Sequence, residues 1–296
     1  MKAGLLAGTL VMGSIVLALA AGQAPAGRLT FPGTNGRLAY GFNGSIVTID
    51  PDGTNKTVVI AGSTGLPSAE PAWSADGTRI AFVATAGPTP GIWWATPDGK
   101  TRTRVTQHQN DKSPTWSPDG TKIAFSRYGP GVYEIFVMNA DGTNAVNRSN
   151  GGGLDACWSP DGKKIAFTSI RATGRGFRLY VMDADGGNVT ELSGNDNGIG
   201  NVYPEWSPDC RRIAFTDQVD GVLQIAVCDA DGKNLKTMTA TGSNAFARWS
   251  PDGKSIVFSR SVENQPPALW IMDAGGENQR ELLRGNTWAV WQPKAK

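Results

Sequence analysis

The sequence predicts an all-β fold, a six-bladed β-propeller of four-stranded antiparallel blades, and three residue columns in register predict it. Six tryptophans, Trp73, Trp116, Trp158, Trp206, Trp249 and Trp291, recur at intervals of 43, 42, 48, 43 and 42 residues, and five of them open the phrase Trp-Ser-(Pro/Ala)-Asp-(Gly/Cys). An aromatic within an alternating apolar run keeps the same count at Tyr40, Phe82, Phe125, Phe167, Phe215 and Phe258. A second turn keeps it again at Asp52-Gly53, Asp98-Gly99, Asp141-Gly142, Asp185-Gly186, Asp231-Gly232 and Gly275-Gly276. A period of this size that preserves its turns marks a stacked or radial array.

The N-terminal residues stand apart from the repeats. Met1 and Lys2 precede an apolar stretch from Ala3 to Ala20 that ends in small residues, the pattern of a secretory signal cleaved near Ala20 or Ala21. An uncleaved anchor is the alternative, because the stretch approaches the ~20 residues a bilayer needs; no cysteine stands there to carry a lipid. Residues 1–21 are read as a signal peptide, 22–35 as a short linker and 36–293 as the propeller.

Each repeat reads as four short strands. The first ends at Trp-Ser, and a Ser-Pro-Asp-Gly turn such as Ser117 to Gly120 leads to the second, Lys122 to Phe125. Proline pre-sets φ at the second turn position and glycine takes the positive φ that follows, so the tetrapeptide specifies a tight hairpin. After a variable loop comes a third strand such as Leu179 to Asp183, and the Ala-Asp-Gly turn reverses the chain into a fourth, Asn188 to Leu192. Such sheets pack face to face around a channel. Tyr40 has no tryptophan before it and Trp291 no hairpin after it, so Ala289 to Trp291 is expected to pair with Gly36 to Tyr40. That pairing closes the ring and leaves no open edge.

Composition bounds the rest. The formal charge is +2 with no basic run, which favours neither nucleic acid nor a lipid surface. Export would permit disulfides among Cys157, Cys210 and Cys228. Cys210 replaces the turn glycine, where a side chain is strained by ~1 kcal/mol, and a bridge to Cys228 would offset that. The two thiols belong to strands about 9.6 Å apart, so free cysteines are the competing reading. No Gly-x-Ser-x-Gly elbow exists, and the one histidine, His108, sits in a loop, so a serine triad or a multi-histidine metal centre is not indicated. The repeated turn aspartates read as architectural, and no cofactor or metal motif stands out.

The short turns all fall on one rim. The second-to-third strand loops, such as Ser169 to Phe177 and Ser259 to Pro267, and crossovers such as Ser193 to Tyr203 fall on the other, and this variable rim is the expected binding face. Two columns counted back from each tryptophan enter the channel mouth from it. Five residues before lie Ser68, Asp111, Gly153, Asn201, Asn244 and Asn286; three before lie Glu70, Ser113, Asp155, Tyr203, Phe246 and Trp288. The first column suits hydrogen bonds to loop backbone. The second sets an aromatic arc beside carboxylates, a pattern that stacks a sugar, clamps a peptide or accepts a basic side chain, or else fills space beneath the crossovers. Arg127, Asp217 and Arg260 add charge to the same rim.

The units Pro114 to Phe125 and Ile135 to Gly142, with their copies over residues 36 to 293, resemble the TolB-like variant of the WD repeat. The resemblance implies an exported, periplasmic or secreted interaction scaffold that binds a protein, with an envelope lipoprotein as the implied partner. In TolB-like proteins an α/β domain precedes the propeller, and here the short linker stands in that place. The repeats also resemble the propellers of prolyl oligopeptidase-like peptidases, but no hydrolase domain follows Trp291, so peptidase activity is not implied. The expected function is therefore a monomeric, non-enzymatic scaffold that recognises a protein or peptide through Glu70, Asp111, Arg127, Asp155, Asn201, Tyr203, Asn244, Phe246, Arg260, Asn286 and Trp288. The alternative is a carbohydrate-binding or carbohydrate-active propeller at the same mouth, with Glu70, Asp111 and Asp155 as its carboxylates.

Overall fold

The computed structural model describes residues 35–62, 68–85, 88–171, 176–193, 202–285 and 288–293; the expected signal peptide, and the linker apart from Asn35, lie outside them. Among the described residues the regular elements are β-strands, assembled into six four-stranded antiparallel sheets. Blade 1 holds Leu38–Phe42, Ser45–Ile49 and Thr57–Ile60. Blade 2 runs from Ser68 to Arg104, blade 3 from Asp111 to Asn147, blade 4 from Leu154 to Ser193, blade 5 from Val202 to Thr237 and blade 6 from Ser243 to Arg284.

The ring closes as the repeat phase predicts. Ala289–Trp291 joins blade 1, with Leu38 opposite Trp291, Ala39 opposite Val290 and Tyr40 opposite Ala289. Beyond the strand, the Gln292 N–H donates to the Arg37 carbonyl at 2.7 Å and the Arg37 N–H donates to Gln292 Oε1 at 3.1 Å. Gly36 permits this approach, since a Cβ there would lie 2.6 Å from the Gln292 carbonyl oxygen.

The repeated columns form the core between blades. Tyr40 and the five phenylalanines of its column are at most 1% exposed, and the six tryptophans are 4–7% exposed. The apolar residues group into six clusters, each spanning two successive blades. In one, Trp158, Ile165 and Phe167 of blade 4 pack on Ile135 and Val137 of blade 3. Burial of a large apolar side chain contributes ~1.5–3 kcal/mol, and the repeat supplies it at every junction.

The turn aspartates are architectural, as their repetition implies. In Ser117 to Gly120 the serine hydroxyl donates to Asp119 Oδ1 at 2.5 Å and accepts the Lys122 N–H at 2.9 Å, while Asp119 accepts the Thr121 N–H at 3.0 Å. The same Ser-to-Asp bond recurs at Ser74, Ser159, Ser207 and Ser250. Cys210 takes the glycine position at φ 61°, and Cys157, Cys210 and Cys228 are all free thiols. Each blade's first strand touches that of the next, and Ala289–Trp291 touches Ser68–Trp73, so six first strands surround one channel.

Candidate functional site

The channel is shaped by a bulge repeated in five first strands. Between Ala69 and Ala72 the strand advances three residues while its partner advances two, from Val83 to Ala81. The same slip falls between Lys112 and Thr115, Leu154 and Cys157, Val202 and Glu205, and Ala245 and Arg248. The residue it displaces is Glu70, Ser113, Asp155, Tyr203 or Phe246, with φ of 54°, 51°, 54°, 58° and 60°. Left-handed backbone costs a side chain ~1–2 kcal/mol, and bulges re-aim side chains where geometry matters more than stability. Five of the six positions in the column read from sequence as the channel-mouth arc, all but Trp288, thus hold strained backbone.

One half of this ring is polar. The Ser113 N–H donates to Glu70 Oε2 at 2.5 Å, and the Ser113 hydroxyl donates to Asp155 Oδ1 at 3.0 Å, linking blades 2, 3 and 4. Asp155 is 9% exposed and its Oδ2 has no hydrogen-bond partner. Burial pushes the Asp155 carboxyl up to about 6, with Glu70 adding to the rise and Lys112 opposing it. Burial also raises Glu70, against the Ser113 N–H and Lys112.

The other half is aromatic. Phe246 stacks on Trp288 with centroids 5.2 Å apart and planes at 6°, and Tyr203 lies 4.3 Å from Phe246 and 6.5 Å from Trp288. The Trp288 indole N–H is buried without an acceptor. Burial, then the charges of Asp155 and Glu70, hold the Tyr203 phenol in its protonated form.

A cavity of about 450 Å³ begins at this ring and runs toward the short turns, where Ala75, Pro118, Pro160, Pro208, Pro251 and Pro293 border it. None of the second-to-third strand loops among the described residues borders it. Its wall includes a column the sequence reading passed over, the residue before each tryptophan, which places Cys157, Glu205 and Arg248 side by side. Arg248 Nη1 lies 3.7 Å from Glu205 Oε2 and donates to the Ala247 carbonyl at 2.9 Å, while the Cys157 thiol lies 3.4 Å from the same Glu205 oxygen. Burial raises Glu205 and drives the Cys157 thiol well up. A glutamate and an arginine at equivalent positions of adjacent repeats, each just before a core tryptophan, was the signal available in sequence.

The remaining expected site residues take other places. Asp111 is 1% exposed and accepts Arg127 Nε and Nη2 at 2.7 and 2.8 Å, directly across the hairpin. His108 Nδ1 stands 3.8 Å from the same carboxylate. Asn244, enclosed and opposite Arg260, accepts its Nε at 2.8 Å, and Arg260 also donates to Gln279 at 2.5 Å. Arg127 lies over Phe125 and Phe136, and Arg260 over Phe258 and Trp270. Asp111 and Arg127 tie blade 3 together, Asn244 and Arg260 tie blade 6 together with Asn244 Nδ2 also donating to Gln224 of blade 5 at 3.0 Å, and none of the four joins Glu70, Asp155, Tyr203 and Trp288 at the cavity. Asn201 and Asn286 lie outside the described residues. Among those described, no group of three or more His, Cys, Asp and Glu side chains is placed to hold a metal ion.

Comparison with known proteins agrees with this architecture. TolB from Acinetobacter baumannii superposes with a TM-score of 0.76 at 27% identity, over 88% of this chain and 67% of that one. A protein assigned as TolB from Agrobacterium tumefaciens gives 0.69 at 23% identity, over 87% and 98%. A puromycin-hydrolyzing peptidase of Mycobacterium tuberculosis shares the fold, with a TM-score of 0.62 at 16% identity over 88% of this chain and 45% of its own. No curated protein matches the chain by sequence. The family model described as the TolB beta propeller domain matches residues 34–294, and the chain belongs to that family.

Proposed function

We propose that the chain is an exported, non-enzymatic scaffold that binds a protein or peptide at the channel ring. The observation that carries this reading is the ring itself. Four side chains, those of Glu70, Ser113, Asp155 and Tyr203, are held at left-handed backbone facing a cavity, with Asp155 Oδ2 and the Trp288 N–H left unpaired there. Strained backbone that recurs around a channel and aims side chains into it supports a site whose side-chain directions matter. A closed ring also presents these groups pre-organised, which limits the entropy lost on association. Membership in a family whose propellers include TolB supports a protein partner and a cell-envelope location, with an envelope lipoprotein as one candidate.

Capture from envelope extract with wild type and with Trp288→Ala tests the reading. A partner retained by wild type and lost by the variant supports it, and equal retention by both removes the ring from recognition. Fractionation of the full chain tests export: accumulation in the cytoplasm counts against it. Two carboxylates joined through Ser113 beside aromatic faces also suit a sugar ring, so the carbohydrate alternative has its own arm. Glycan turnover that disappears in Glu70→Gln or Asp155→Asn would establish it.

A further inference from the structure

The cavity carries an imbalance of charge that its own residues do not resolve. Glu70, Asp155 and Glu205 line it, against one guanidinium, Arg248. Arg248 is committed to Glu205 and to the Ala247 carbonyl, and the Lys112 ammonium, 4.0 Å over the Tyr133 ring, favours the ionised forms of Asp155 and Glu70 from outside the cavity wall and offsets only part of the effect of their burial. Asp155, nine-tenths buried, keeps Oδ2 unpaired beside the cavity. A buried carboxylate is costly until a cation pairs with it.

The opposite wall offers what a cation also uses. Aromatic faces attract ammonium and guanidinium groups within about 6 Å of the ring centroid, and Arg248 already lies 5.9 Å over Trp288. Backbone recognition is weakened, because Pro71, Pro114 and Pro204 stand in three of the six channel-lining strands and have no N–H to offer. Side chains are therefore the larger part of what the channel can read in an occupant. A volume of about 450 Å³ is that of a small-ligand site, enough for the tip of a segment and too small for a folded domain.

We propose that the channel takes a basic side chain, the arginine or lysine of an extended partner segment that enters past the short turns. Its cationic head is held between the carboxylates of Asp155 and Glu70 and the rings of Tyr203 and Trp288. This rests on the protein-binding reading and adds the chemistry of the partner and its direction of entry, which is opposite to the rim where loop variability concentrates.

Calorimetric titration with the capped tripeptide acetyl-Pro-Arg-Gly-amide and its citrulline counterpart tests the chemistry, since the two differ in charge and hardly in shape. The arginine peptide is expected to bind at least about tenfold more tightly, and Asp155→Asn to shrink the difference to about threefold or less. Equal binding of the two peptides, or no saturable binding of the arginine peptide at millimolar concentration, overturns the proposal. Ala75→Trp, which narrows the short-turn entrance while leaving the ring intact, tests the route. With an unchanged melting transition it should abolish arginine-peptide binding, and unchanged affinity overturns that entrance. A partner captured in a Trp288-dependent manner whose affinity ignores Asp155→Asn would leave the scaffold standing and remove the basic side chain. A partner indifferent to Trp288→Ala would remove the scaffold reading itself.

Discussion

The turn column Gly77, Gly120, Gly162, Cys210 and Gly253 and the bulge column Glu70, Ser113, Asp155, Tyr203 and Phe246 hold the same left-handed backbone, at φ of 61–71° and 51–60°. Four of the five turn positions are glycine, which takes this conformation without steric penalty; none of the bulge positions is. Their carboxylates diverge as well. The Ser74 hydroxyl, and after it the Thr78 N–H, hold Asp76 down to about 2, whereas burial drives Asp155 up to about 6. The turn relieves strain and stabilises its charge, while the ring keeps strain and leaves its charge short of partners. The two columns thus share a backbone state and differ in what their side chains meet, which is the contrast that the proposed role of the ring rests on.

The largest effect is expected where the ring is dismantled. Phe246 packs between Tyr203 and Trp288, and its removal forfeits ring burial and two aromatic contacts, about 2–4 kcal/mol together. Phe246→Ala keeps the strain and Phe246→Gly releases it, so urea melts should show the glycine variant more stable than the alanine one by about 0.5–1 kcal/mol. At Gly120, where no atom obstructs a Cβ but φ is +69°, the same order is expected without any packing loss, and Gly120→Ala destabilises by about 1 kcal/mol. Equal alanine and glycine variants at position 246 would remove strain from the account of the ring.

Next comes the ionisation of the two columns. Asp155 has a folded pKa above its unfolded value of 3.8, so its ionised form is disfavoured by the fold, and stability is lost as pH rises from about 4 through 6. The groups facing it are Glu70, Lys112, Ser113, Tyr203 and Arg248. Asp155→Asn should stabilise by about 1–2 kcal/mol at pH 8 and by little at pH 4, read from melting temperature against pH. A constant offset at both values would refute the assignment. Asp76 has the opposite sign: its folded pKa of about 2 lies below 3.8, so its contribution is full above pH 4 and lost toward pH 2. Because it is exposed, Asp76→Asn should cost only roughly 0.5 kcal/mol at pH 7 and nothing at pH 2, and destabilisation that persists in acid would contradict it.

The blade count, the closing strand and the core columns were legible in the sequence because those positions have one conformation and one neighbourhood in every repeat, which selects one residue type. The bulge was not, because Glu70, Ser113, Asp155, Tyr203 and Phe246 share a backbone state without sharing chemistry, and no side-chain pattern announces it. The bulge also resets the pairing beyond it. Trp116 pairs with Ile123, and an unbroken ladder from there would set Asp111 opposite Tyr128. The extra residue sets it opposite Arg127, and the same shift joins Asn244 to Arg260. Groups read as four separate rim charges and amides are thus two cross-strand pairs. Glu205 and Arg248 were overlooked for a related reason: next to a core tryptophan they look like the solvated face of a strand, and only the closed ring turns that face into a channel wall.

Cys210 should give the smallest effect and the cleanest comparison within one column. It stands at φ 61° where the four equivalent turns have glycine, and its thiol is free. Cys210→Gly releases strain of about 1 kcal/mol and gives back much of it, because glycine leaves the unfolded chain more freedom, worth roughly 0.5–1 kcal/mol. The net expectation is a gain of a few tenths of a kcal/mol in a urea melt under reducing conditions, where thiol oxidation cannot contribute. A loss of more than about 1 kcal/mol would mean that the Cys210 side chain packs favourably enough to outweigh its backbone. The turn column would then tolerate a strained side chain as the ring does, and strain alone would no longer separate architecture from site.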